Sequence, residues 1–176
     1  MRRLFSLAIL GTSLAAAGPA AAADPLLAPA GVCPDATSAT ASVGAQKAAM
    51  RCLVEWARRA AHLRAVDTSS RLGRSSQAKA DLIARCGSLT HSPCGRPWNE
   101  VFTRVGFRGR YFENLASSGG SYGTARGAMG MWLESPRHRR GLLARDVTVV
   151  GVGLRLQARV DGYRGSVWAL HLGRPA

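Results

Sequence analysis

Apolar residues recur at three- and four-residue spacing from Ala45 to Leu63. Ala45, Ala49, Cys52, Leu53, Trp56 and Ala60 fall on one stripe, with Lys47, Arg51, Glu55, Arg58 and Arg59 largely elsewhere. That spacing predicts an amphipathic helix with Trp56 turned to the core. Asp67 to Ser70 offers caps for a second helix reaching about Ala84. Its inner stripe holds Leu72, Ser76, Lys79 or Ala80, and Ile83, so small residues predict close packing. Gly87 to Gly95 reads as a loop. Pro97 opens a short helix with Val101, Phe102 and Val105 inward, ended by Gly106.

The second half changes period. Phe107 to Leu115 can be extended, and Ser117 to Gly123 is a Gly/Ser loop. Thr124 caps a helix carrying Ala128, Met131 and Trp132, and Ser135-Pro136 ends it and starts another. Thr148 to Leu156 alternates Val149, Gly151 and Gly153 against Val150, Val152, Leu154 and Leu156. Val167 to Leu172 predicts a partner strand, with Asp161-Gly162 marking the turn inside a connection longer than two residues. Helices come first, then helices mixed with a small antiparallel sheet, and no internal repeat is visible.

The two ends differ from this pattern. Residues 1–23 have the form of a signal peptide. Arg2 and Arg3 precede an apolar run from Leu4 to Leu14, and Ala21-Ala22-Ala23 makes a small-residue cleavage site. The run is too short for a spanning helix, which needs about 20 residues. Residues 24–44, rich in Ala, Pro, Ser and Gly without a period, read as a flexible leader. The mature chain is therefore expected to be exported, extracellular or periplasmic, and not transmembrane. About 150 residues remain, enough for one domain with its own core.

The net charge is +14, nearly all from Arg, with Lys47 and Lys79 the only lysines. Basic residues are densest in RVGFRGR (104–110) and RHRRG (137–141). Such a surface favours anionic partners, such as an envelope polymer or lipid head group. Specific nucleic-acid recognition would need interleaved aromatics or a reading helix, and neither is present. Four Cys in an exported chain imply two disulfides with three connectivities open. Cys33–Cys52 and Cys86–Cys94 close the shortest loops, the second around His91. The Cys spacing does not suit a compact zinc site.

The chemistry-bearing residues sit in three runs: His91 in LTHSPCG, Glu113 in YFENLA, and His138 in MWLESPRHRRGLL. Two His and a Glu can bind a metal, bind a polar ligand, or form a hydrogen-bonded cluster. No HExxH-type pair is present. Ser92, Ser117 and Ser118 lie near these residues, but none sits in a nucleophile-elbow sequence.

From Gln46 to Gly173 these runs resemble the CAP superfamily (cysteine-rich secretory, antigen 5, pathogenesis-related 1), in its bacterial secreted, SCP-like branch. Cys52-Leu53-Val54 through Arg58 resembles the opening helix. His62 to Val66 replaces the usual Gly-Leu-x-Pro-Leu turn. Leu89 to Gly95 resembles the His-bearing loop, and Gly106-Phe107 with Glu113-Asn114-Leu115-Ala116 resembles "G-Y … G-E-N-I-A". Trp132 to Arg139 resembles "W-M-x-S-P-G-H-R", with Arg137 where Gly is usual. Val150 to Gly153 and Trp168 to Gly173 resemble the closing strands.

The resemblance implies one CAP domain over residues 45–176. Its expected fold class is α+β, an α-β-α sandwich with a small mainly antiparallel sheet between helical layers. It implies a central cavity with two His and two acidic residues. His91, Glu113 and His138 match three of these positions, and Arg126 stands at the fourth. A divalent cation, zinc or magnesium, would then be disfavoured by Arg126, which could instead pair with Glu113. Asn114, Trp132 and Ser135 are expected to support the local backbone. The function expected is a secreted, non-enzymatic binding module for a lipid, an envelope component or a protein, acting as a monomer. A hydrolase using the His91/Glu113/His138 cleft, and a structural or stress-related envelope protein, are the alternatives.

Overall fold

The computed structural model describes residues 24–176, so the signal segment expected over 1–23 lies outside the described residues. Among the described residues no helix is long and apolar enough to cross a membrane. Each of the longer helices starts on a hydroxyl. Ser42 accepts from the Ala45 amide at the start of α1 (Val43–Ala60), and Ser69 accepts from the Leu72 amide ahead of α2 (Ser70–Cys86). Both are hydroxyl caps, satisfying amides that the helix itself leaves unbonded. Gly87 then ends α2 in the left-handed region, at φ 69°. The short α3 spans Glu100–Arg104. Thr124 caps α4 (Ala125–Glu134) through the Gly127 amide, and α5 (Pro136–Leu142) has Pro in its first turn. Ser135 precedes α5 without a capping bond from its side chain. Its expected supporting role reduces to its backbone carbonyl, which accepts from the Arg139 amide.

The strands are β1 (Asp67–Thr68), β2 (Gly109–Ser118), β3 (Val149–Val160) and β4 (Tyr163–Pro175). They form one sheet in the order β1-β3-β4-β2, with β1 parallel to β3 and the other pairs antiparallel. Helix α2, with α3 against it, covers one face, and α1, α4 and α5 cover the other. The architecture is the expected α-β-α sandwich.

The alternation of β3 explains its close fit to α2. A Cβ on Gly151 would lie 2.1 Å from the Leu72 carbonyl carbon, and one on Gly153 would lie 2.2 Å from the Ser76 oxygen. Helix and strand backbones touch here, so no side chain fits. On the other face Val150, Val152 and Leu154 join Met50, Leu53, Trp132 and Trp168 in the main core.

Three expectations change. The hairpin between β3 and β4 is two residues long, because Val160 pairs with Tyr163. Asp161 and Gly162 both have positive φ (48° and 84°), the geometry that suits a tight turn between twisted strands. A register shift between Arg155 and Ala158, with Gln157 at φ 54°, breaks the alternation and hid the strand's full length. Arg58, expected on an outer face, is fully buried. Its guanidinium donates to the carbonyls of Arg64, Leu142, Ala144 and Val147, clamping the segment after α5.

The third change concerns residues 24–44, expected to be a loose leader. They form turns laid against the domain, burying Leu26, Ala28, Cys33 and Ala36. Cys33 is bonded to Cys52, the Trp56 indole donates to the Pro25 carbonyl, and the Arg126 amide donates to the Ala36 carbonyl. Small residues let this backbone lie close enough to be tied by main-chain bonds, a signal that a hydrophobic period cannot carry. Trp56 is correspondingly only half-buried.

Candidate functional site

Glu113 is the centre of a buried polar cluster built from four elements. It lies on the edge strand β2, directly opposite His171 of β4. Side chains on paired residues share a face, and here that face meets α2. Helix α2 supplies Ser75 and Lys79, four residues apart and so on one side of the helix. The loop closed by the Cys86–Cys94 disulfide supplies His91.

The Glu113 side chain is 1% exposed, and both its oxygens are engaged. Oε1 lies 2.7 Å from His91 Nδ1. Oε2 lies 2.8 Å from His171 Nε2 and 3.3 Å from the Lys79 ammonium. Lys79, itself 1% exposed, also donates to the carbonyls of His91 (2.5 Å) and Trp98 (3.0 Å). Burial works to raise the Glu113 pKa. The hydrogen bonds from His171 and His91 outweigh it, with the charges of His171 and Lys79 adding to them, and hold the group at about 2.

His171 is fully buried. Burial lowers its pKa despite the hydrogen bond and charge of Glu113, so the ring is neutral near neutral pH and takes up its charge only in acid, where Glu113 also titrates. Its Nδ1 lies 2.8 Å from Ser75 Oγ. One assignment satisfies every atom: Nε2–H donates to Glu113, and the Ser75 hydroxyl donates to Nδ1. The Leu72 carbonyl still receives the Ser76 hydroxyl at 2.7 Å. Phe102 packs on the ring, 4.3 Å between centroids, and stacks on Tyr111.

The expected residues divide. His91 and Glu113 are in contact, with the His91 side chain 55% exposed at the mouth of the cluster. His138 sits on α5, which packs on the opposite face of β2, where Gly141 approaches Phe112 and Asn114. It makes no hydrogen bond to Glu113. Its pKa is lowered, first by burial and then by the charge of His91, and its Nδ1 is buried without a partner among the described residues. Asn114 holds this segment by donating to the His138 carbonyl at 3.1 Å, and the Trp132 indole donates to the Leu115 carbonyl at 3.0 Å.

Arg126 is not part of this cluster. Its guanidinium donates to the Ala28 carbonyl, and it lines a separate groove of about 360 Å3 with Leu27, Tyr122 and Met131. The pairing expected between Arg126 and Glu113 is replaced by Lys79 with Glu113. Arg126 belongs to α4, on the sheet face opposite α2, and its guanidinium is taken by the Ala28 carbonyl.

Sequence reasoning missed Lys79, His171 and Ser75. The signals were weak but present: a lysine on the apolar stripe of a helix, and a histidine inside an alternating strand. A buried ammonium needs a carboxylate, and Glu113 is that carboxylate.

Glu113 is not available as a ligand to a divalent cation. Neither Glu113 oxygen is free, His91 Nδ1 already faces Oε1, and an ammonium lies beside Oε2. Among the described residues no group of three or more His, Cys, Asp or Glu has the arrangement to hold a metal ion. The serine–histidine–carboxylate chain has triad order, but Ser75 is fully buried where no substrate could meet its hydroxyl.

The comparisons with known proteins agree with the fold. Among curated proteins no sequence matches. An outer surface protein from Borrelia burgdorferi is similar in structure, with a TM-score of 0.60 and 16% identity over 72% of this chain and 90% of that one. An extracellular protein containing an SCP domain from Bacillus anthracis str. Ames gives a TM-score of 0.58 and 18% identity, over 78% of this chain and 45% of that one. A cysteine-rich secretory protein from Staphylococcus aureus gives 0.54 and 14%, over 73% and 38%. This chain therefore spans less than half of the Bacillus and Staphylococcus chains, and at these identities the likeness concerns the fold. The model of the cysteine-rich secretory protein family, CAP, matches residues 51–168. The chain belongs to the CAP family of cysteine-rich secretory proteins.

Proposed function

We propose that this is an exported CAP domain that works as a non-enzymatic binding module, with its ligand held on the surface and not converted at the His/Glu cluster. The observation that carries this reading is the complete engagement of Glu113. Its two oxygens face His91, His171 and Lys79, and its pKa of about 2 leaves it a poor base near neutral pH. Ser75, the hydroxyl nearest a histidine in the cluster, is sealed in the core. The two disulfides suit an oxidising compartment. The basic composition suits anionic envelope material.

The test uses the disulfide-bonded chain from Asp24 onward, immobilised and challenged with detergent-solubilised envelope extract. Ester and peptide substrates are assayed in parallel. Saturable capture is expected, with no turnover, and His91→Ala should leave capture intact. Turnover that disappears in both His91→Ala and Glu113→Gln, with the fold retained, would overturn the reading in favour of a hydrolase.

A further inference from the structure

The two densest basic runs of the sequence, far apart along the chain, meet in space. Arg110, from the first run, and Arg139 and Arg140, from the second, line one groove of about 580 Å3 together with Arg145. The floor of that groove is apolar, formed by Phe112, Pro136 and Leu143. The groove lies between the start of β2, α5 and the segment after α5. It shares no residue with the Glu113 cluster or with the groove beside Arg126.

The four arginines are not equivalent. Arg110 is held on two sides, by Asp146 at 2.9 Å and by the Phe112 ring at 5.1 Å from its centroid. Arg139 is held by Asp24 at 2.8 Å and by the Leu133 carbonyl. These contacts fix two guanidinium groups on the rim and neutralise them. Arg140 and Arg145 are exposed, and among the described residues neither has a carboxylate within 4 Å. The rim therefore carries two uncompensated cations above an apolar floor.

We infer that this groove binds a single amphiphile with an anionic head, phosphate or carboxylate, and one apolar tail. The inference rests on the binding-module reading and gives it a ligand class. Guanidinium groups take an oxyanion through two parallel hydrogen bonds, and Arg140 and Arg145 are the ones free to do so. The tail removes Phe112 and Leu143 from water, which a free inorganic anion cannot do. Phe112 and Leu143 are half-buried and Pro136 is exposed, and the space they line with the arginines, about 580 Å3, suits one chain, so the occupant is a single detached molecule.

The test is calorimetry on the disulfide-bonded chain from Asp24 onward with dodecyl phosphate below its micelle concentration. Inorganic phosphate, dodecyl maltoside and phosphatidylglycerol vesicles form the comparison arms. One saturable site for dodecyl phosphate is expected, with inorganic phosphate at least about tenfold weaker and the neutral maltoside weaker again. The pair Arg140→Ala, Arg145→Ala should weaken binding by at least about tenfold. The control pair Arg85→Ala, Arg155→Ala removes the same charge from a polar cleft elsewhere, and should weaken it less than about twofold. Equal losses in both pairs would mean that net charge suffices, and would overturn the assignment. So would inorganic phosphate binding as tightly as dodecyl phosphate, or binding to vesicles alone. In those cases saturable capture from envelope extract would leave the module reading standing. Cleavage of dodecyl phosphate that vanishes in His91→Ala would instead bring down the module reading itself.

Discussion

The interior of the domain and its α5 rim both gather charge, and they treat it in opposite ways. Around Glu113 one carboxylate meets two imidazoles and an ammonium, and it sits 1% exposed. Around α5 four arginines meet two carboxylates and remain largely in water. Burial forces pairing, because an unpaired ion in the core costs far more than one at the surface. Exposure permits surplus, and surplus charge is what a ligand can use. Charge density alone thus does not mark a binding site; what sets the rim apart is surplus charge beside an apolar lining.

The contrast is sharpest where the interior carboxylate is removed. Glu113→Leu leaves Lys79 and His171 buried without their partner, and should destabilise the fold by about 3–5 kcal/mol. Urea unfolding measures this, and a loss below about 1 kcal/mol would show the cluster to be far wetter than described.

Acid should act on the same interior group by titration. The Glu113 pKa falls from an ordinary 4.5 to about 2 on folding. Its contribution is therefore complete above pH 4.5 and is lost as pH drops towards 2, roughly 3 kcal/mol in all. His171 and His138 have pKa values lowered from 6.5, so the unfolded chain binds their protons first and stability already begins to fall below that pH. Thermal melts between pH 7 and 2 should show both phases. A flat profile below pH 4.5 would contradict the Glu113 geometry.

The disulfide beside the cluster comes next. Replacing Cys86 and Cys94 by Ala opens a short loop, and should cost about 2–3 kcal/mol in chain entropy, read as a lower urea midpoint. At the rim the effect on stability nearly vanishes. Arg140→Ala, Arg145→Ala should change unfolding by less than about 0.5 kcal/mol, while changing ligand binding as described above. A rim pair as destabilising as Glu113→Leu would erase the distinction between the two regions.

The sequence carried the helices and strands well wherever one face is buried and one is wet. The caps at Ser69 and Thr124 and the alternation through Gly151 and Gly153 are visible as strings of letters. The two-residue hairpin was obscured because the bulge at Gln157 shifts the period, so the strand looked as if it ended at Leu156. Residues 24–44 carry their contacts on backbone carbonyls and small side chains, which no hydrophobic period records.

The site was legible only where it lies in distinctive runs. His91 and Glu113 stand out in theirs and are in contact. Lys79 and His171 belong to regular elements, and only the pairing of β2 with β4 and the seat of α2 on the sheet bring them to Glu113. Arg126 followed from counting along a helix. The docking of the leader, invisible to such counting, places the Ala28 carbonyl against its guanidinium.

The loop bearing His91 is fastened twice, by unlike chemistry. Its base is joined by the Cys86–Cys94 bond, and its centre is held where Lys79 takes the His91 carbonyl. Only the first fastening answers to a reductant. In a thiol-rich medium the loop would lose its covalent hinge and keep its ionic latch, so the imidazole stays at its post while the segment around it loosens. The redox state of the surroundings would then tune how far this stretch of surface can flex, without switching the charge cluster beneath it on or off.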